Sequence, residues 1–126
     1  MGGRAMHLEA RALGRLGEEL AVRHLRRRGW EIVGRNVREG RKEIDIIARR
    51  GGVLAFVEVK TRRSRDFGDP LESISPRKRA EIREVAVGWL GRNRSVATTI
   101  RFDAVGIALG PSGSVHLEHV EDAWRE

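Results

Sequence analysis

The sequence predicts one mixed α/β domain spanning residues 1–126, with elements in the order α-β-β-β-α-β-β. Three observations carry this. Glu43 to Lys60 reads as two runs of β-branched and aromatic residues joined by Arg49-Arg50-Gly51-Gly52, the pattern of strand, tight turn and strand. Those runs are apolar almost throughout, as strands covered on both faces require. Apolar residues recur at helical spacing both before and after the hairpin, supplying the covers.

Taken in order, residues 1–6 read as a frayed, disordered end. A helix follows from about Leu8 to Arg28, with Leu13, Leu16, Leu20, Ala21 and Leu25 on its apolar face. Gly14, Gly17 and Ala21 let another backbone approach that face. Gly29 caps the helix after the cationic turn Arg26-Arg27-Arg28. The triple arginine is either a solvated helix end or a phosphate contact. Trp30 to Val33 forms a short strand, with a basic, turn-rich connection through Arg35-Asn36 to Gly40. Beyond Lys60 the stretch T-R-R-S-R-D-F-G-D-P reads as a mobile loop. Ser75-Pro76 opens the second helix as N-cap and N1, with Ile82, Val85, Ala86, Trp89 and Leu90 as its buried stripe. Thr98 to Leu109 is a strand and Gly110 to Gly113 a turn. Ser114 to His119 is an edge strand, and Val120 to Trp124 a closing turn of helix. Asp103 interrupts an apolar strand, so it should be semi-buried and paired, with an arginine as the natural partner.

Charge and composition narrow the function. The chain carries 25 basic and 18 acidic residues, a net +7, which favours a polyanionic partner such as nucleic acid. Cysteine is absent, which excludes disulfides and thiolate metal sites. Neither a signal peptide nor an apolar run of bilayer-spanning length is present, so a cytoplasmic location without membrane contact is expected. The four histidines are scattered, and no phosphate-binding glycine loop occurs.

Chemistry concentrates in the hairpin. Asp45, Glu58 and Lys60 lie within apolar strands, and ionised groups there are costly unless paired or bound to metal. A turn at Gly51-Gly52 brings Asp45 to the same end of the sheet as Glu58 and Lys60, and the latter two share a face. Lys60 is one of three lysines against 22 arginines, at a place where a compact ammonium differs most from guanidinium. Two carboxylates and the carbonyl of Val59 suit a hard cation, Mg2+ or Mn2+. Such an ion would bridge a scissile phosphate and acidify water, while Lys60 positions the water or takes its proton. A buried Asp–Lys–Glu ion network without activity explains the same residues. Glu18 borders the apolar face of the first helix, where solvated surface is the ordinary role of a glutamate. Arg62, Arg63 and Arg65 just past the acids, and Arg77, Lys78 and Arg79 in the first turn of the second helix, are either phosphate contacts or exposed charge.

Asp45 through Lys60, D-x(12)-E-V-K, resembles the PD-(D/E)xK signature of restriction-endonuclease-like nucleases, with Ile44 where the name has proline. More narrowly, the chain resembles the YraN-type family of small bacterial proteins. The matching blocks are G-R-L-G-E-E-L-A at 14–21, E-I-D-I-I-A at 43–48, F-V-E-V-K-T-R at 56–62, the following F-G-D-P, and R-F-D at 101–103. Lys42 stands where that family commonly has glycine. The resemblance implies a restriction-endonuclease-like fold, a mixed central sheet flanked by helices, and adds Glu18 to Asp45, Glu58 and Lys60 as the catalytic set. The family consists mainly of predicted nucleases, so the residues and the resemblance together lead to the expectation of a Mg2+-dependent nuclease-like protein acting on DNA, at branched or processed structures, with a homodimer left open. The alternative is a non-catalytic nucleic-acid-binding module that keeps the nuclease fold.

Overall fold

The computed structural model describes residues 2–63, 74–94 and 97–125, with side chains from residue 9 onward. The elements are α1 (Gly2–Arg27), β1 (Glu31–Glu39), β2 (Lys42–Arg50), β3 (Val53–Arg62), α2 (Pro76–Arg92), β4 (Thr99–Leu109) and β5 (Val115–Val120), with a short 3-10 turn at Pro111–Gly113. Their order is the expected one. They build one five-stranded sheet in the order β1-β2-β3-β4-β5. Neighbours are antiparallel except β3 and β4, which run parallel over the register Val53↔Thr99 to Arg62↔Ala108. A parallel pair needs a crossover, and α2 lies within it.

The two helices cover opposite faces. Ala21, Val22 and Leu25 of α1 pack on Ile46, Ala48, Ala55, Val57, Val105 and Ile107. Ile82, Val85 and Ala86 of α2 pack on Ile44, Ile47, Leu54, Phe56 and Ala104. This is why the hairpin reads apolar on both parities. Along β3 the alternation is regular, so Glu58 and Lys60 share the α2 face with Leu54 and Phe56. Along β2 it slips: Ile44 and Ile47 share the α2-side core while Ile46 joins the other. The irregular step falls at Asp45, where the β2–β3 ladder also ends, its last pair being Ile46↔Val57.

α2 begins as expected: the Ser75 side chain accepts from the Lys78 N–H at 3.1 Å, and Pro76 occupies the first turn. Four expectations need correction. α1 starts at Gly2 rather than near Leu8. Its buried face is set by Gly17, where a Cβ would lie 1.7 Å from the Thr61 hydroxyl. That close approach turns Leu16 outward, 47% exposed, although its spacing placed it on the apolar stripe. The connection after Val33 is strand through Glu39, its turn-forming residues absorbed by a bulge between Ile32 and Gly34 and by Asn36 at φ 48. Among the described residues no helix follows β5, which runs to Val120, and Asp122 turns at φ 51 with its N–H held by Asp103. The loop reading after Arg63, with Arg65 and Phe67 to Pro70, lies outside the described residues. No described helix is long and apolar enough to cross a membrane.

Candidate functional site

Where the β2–β3 ladder stops, Asp45 takes over its role. Its Oδ2 accepts the Val59 N–H at 2.8 Å, so a carboxylate replaces a strand carbonyl and is fixed between the strands. Glu58 is next to it, 3% exposed. Its Oε2 lies 3.5 Å from the Lys78 ammonium, and its Oε1 is buried with no hydrogen-bond partner among the described residues. Burial, then the Asp45 charge and its hydrogen bond, push the Glu58 carboxyl up to about 8; Lys78 and Lys60 oppose this without prevailing.

Glu18 enters from α1. Packing of Gly17 against Thr61 brings the following residue over the sheet beside Asp45. Burial raises the Glu18 carboxyl above the ordinary range; the Asn36 hydrogen bond opposes this and the Asp45 charge adds to it. Asp45 therefore stands in electrostatic contact with acids from both α1 and β3. Among the described residues no three acidic or histidine side chains converge closely enough to form a metal-holding group as they stand. The reason is visible in the bonds: Asp45 is drawn to Val59, and Glu18 to Asn36 Nδ2 at 2.8 Å.

The basic candidates divide. Arg62 and Arg63 are exposed at the end of β3, directly beyond Lys60, which is half-buried. Arg77 is exposed and 3.7 Å from Glu81. Arg79 is engaged within the fold, donating to the Ile74 carbonyl at 3.2 Å and lying over the Trp124 ring at 5.7 Å. Lys78 points inward to Glu58 and to the Glu43 carbonyl, 3.3 Å away. Two participants, Asn36 and Glu43, escape a sequence reading, and Lys78 takes a role that reading did not give it. Asn36 bridges Glu18 and Glu43, donating to both. Glu43 adds a nearby negative charge. Lys78 contacts the acid cluster. Their only sequence signal was Glu43 lying two before Asp45; Asn36 and Lys78 are distant in the chain.

Asp103 is fully buried and paired with arginine, as expected. Arg101 grips it in a fork, Nε to Oδ1 at 2.9 Å and Nη2 to Oδ2 at 2.8 Å. His119 Nε2 adds a contact at 2.8 Å and the Asp122 N–H another at 3.0 Å. Burial alone would raise this carboxyl, but these bonds hold it below its ordinary value.

The fold and this site define a small mixed α/β domain with an acidic cluster at a broken strand ladder, reached by cations from α2 and β3. The chain belongs to the uncharacterised protein family UPF0102, whose pattern matches residues 17–107 and so takes in Glu18, Asp45, Glu58 and Lys60. It is 44% identical over 113 residues to a UPF0102 protein of Rhodococcus opacus, covering 90% of this chain and 96% of that one. A UPF0102 protein of Acidothermus cellulolyticus is 43% identical over 123 residues, covering 90% and 93%. One of Dictyoglomus turgidum is 44% identical over 113 residues, covering 89% and 96%. Among solved structures, Pyrococcus furiosus SfsA in complex with Ca2+ aligns over 89% of this chain and 63% of its own, at 15% identity and a TM-score of 0.39.

Proposed function

We propose that the protein is a metal-dependent nuclease with a restriction-endonuclease-like fold, hydrolysing phosphodiester bonds in DNA at branched or processed structures. The observation that carries the reading is the Asp45–Glu58 pair: two carboxylates in contact, one nearly sealed from water with an oxygen that has no hydrogen-bond partner among the described residues. A hard divalent cation suits such a donor set, because it would neutralise the pair and use the orphan oxygen. Asp45, Glu58 and the Val59 carbonyl would hold Mg2+ or Mn2+, with Glu18 contributing from α1. The bound ion would supply positive charge at the scissile phosphate and acidify the attacking water.

The chain's own residues do the rest. Lys60, on the Glu58 face of β3, orients the water. Asn36 holds Glu18 in place. Arg62, Arg63 and Arg77 grip backbone phosphates without reading sequence, with Arg65 between them in the chain. Lys78 balances Glu58 in the absence of an ion. Asn at position 45 could still accept the Val59 N–H through its amide oxygen, so Asp45→Asn should fold. The test is incubation of wild-type and Asp45→Asn protein with end-labelled linear, flapped and four-way-junction DNA, in Mg2+ or Mn2+ and in EDTA. Metal-dependent cleavage by wild type alone is expected; equal cleavage by the variant would sink the proposal.

One observation favours a second reading. The contact between Lys78 and Glu58 already gives the acid a counter-charge, as a structural ion network would. A non-catalytic nucleic-acid-binding module would then bind DNA in a salt-dependent way, indifferent to metal and to the loss of Lys60.

A further inference from the structure

A second cluster stands on the other flank of α1. Glu19 of α1 reaches Arg35 on β1 at 2.8 Å, whereas His24 reaches His119 on β5, Nε2 to Nδ1 at 3.1 Å. His119 in turn contacts Asp103 at 2.8 Å. Carboxylate, imidazole and imidazole thus form a line from the sheet interior to a surface groove. The groove lies between α1 and the edge strand β5, in two adjoining parts of about 590 and 560 Å3 that share His24, Arg28 and Leu117. Arg23 and Arg27 line it as well, and Leu20 and Val115 make an apolar floor. Among the described residues none of Arg23, Arg27 and Arg28 has an acidic group within ion-pair distance, whereas Arg35, Arg38, Arg49 and Arg92 each hold a carboxylate. Arg27 and Arg28 sit where the dipole of α1 favours cations, but Arg23 is a turn earlier and owes nothing to it.

Proton counting shows what the line of side chains can do. The buried carboxylate fixes the His119 proton on Nε2, so the His119 Nδ1 lone pair accepts a hydrogen bond from the His24 Nε2–H. One hydrogen occupies the gap between the two rings, and the pair can accept one more, at His24 Nδ1. With that proton added, His24 offers a donor backed by a buried anion.

We propose that this groove is a second phosphate-binding site, in which His24 and the guanidiniums of Arg23, Arg27 and Arg28 hold a phosphate group of a nucleic-acid strand or of a free phosphorylated ligand. It is separate from the acid cluster and does not rest on the nuclease reading. Binding takes up a proton at His24 and strengthens as pH falls. The charged and titratable groups facing His24 are His119 with Asp103 behind it, Arg27, Arg28 and Glu121. Of these, Asp103 and Glu121 oppose an anion; Asp103 is held in the Arg101 fork, and Glu121 lies 3.7 Å from Arg101.

The test follows histidine ring nitrogens by NMR in the wild-type chain, with EDTA present so that nothing depends on metal. One arm adds inorganic phosphate, the other a short oligothymidylate. His24 and His119 should shift saturably while His116, also on β5, does not. Arg27→Ala with Arg28→Ala should weaken saturation about tenfold or more. Saturation by both probes assigns the site to a free phosphate group, and by the oligonucleotide alone to a strand. The proposal fails if neither probe moves His24, if His116 shifts equally, or if the double variant saturates as wild type does.

Discussion

Replacing Glu58 by glutamine should make the protein more stable at alkaline pH, although it removes a charged group. The Glu58 carboxyl titrates near 8 in the folded chain against an ordinary 4.5. The folded chain therefore keeps a proton, between those values, that the unfolded chain gives up. Wherever the folded state binds the extra proton, stability falls as pH rises, so the loss accumulates from about 4.5 to about 8 and then levels off. At about 1.36 kcal/mol per unit, the shift sets an upper limit on the order of 5 kcal/mol. Glutamine leaves Lys78 facing an amide, and Lys78 can turn partly to water, so the net gain at about pH 9 should be on the order of 2 kcal/mol. At about pH 4 both states of wild type are protonated and the variant should differ little. Urea denaturation of both proteins at the two pH values reads this directly. A glutamine variant no more stable than wild type at alkaline pH would refute the reasoning. Millimolar Mg2+ should then restore stability to wild type and not to the variant, because ligand binding to the folded state alone raises its stability.

Three further outcomes follow from the packing and the charges. Gly17→Ala forces a Cβ against Thr61 and should cost about 1–3 kcal/mol in denaturant unfolding, with partial rescue by Thr61→Gly. Asp103→Asn removes the fork from Arg101 and the His119 contact, and should cost about 3–5 kcal/mol at neutral pH. Because the Asp103 carboxyl is held low, its contribution is present above the unfolded carboxylate range and is lost as pH falls through the lower folded value; the variant should thus show a weaker acid transition by circular dichroism. Asn36→Ala releases Glu18 and Glu43 together, and should lower cleavage while reducing the unfolding free energy by about 1–2 kcal/mol, since the bonds are exposed but alanine is strained at φ 48.

Much of this was written in local pattern. The Gly51-Gly52 turn, the Ser75-Pro76 cap and the doubly apolar strands β2 and β3 each follow from a few adjacent residues, and the order of elements follows from them. The isolated Asp103 announced a buried pair because a charge in an apolar strand must find one. Where reading failed, tertiary contacts decided. Leu16 has the spacing of a core residue, but the contact of Gly17 with Thr61 rotates the helix away from it. Asn36 looks like a loop residue, yet the ladder to β2 holds it in a strand at positive φ. Lys78 reads as a phosphate contact or an exposed charge, and the crossover placing α2 over β3 half-buries it and turns it toward Glu58. The line from Asp103 to His24 joins three residues far apart in sequence, and no spacing rule connects them.

The central claim is that Asp45 and Glu58 hold a divalent cation, and Mn2+ binding tests it without waiting for a substrate. Titration of wild type followed by electron paramagnetic resonance should show one saturable site per chain, weakened at least about tenfold by Asp45→Asn and by Glu58→Gln. Saturable binding that survives both substitutions, or none in wild type, would contradict the account and leave the cluster a buried ion network.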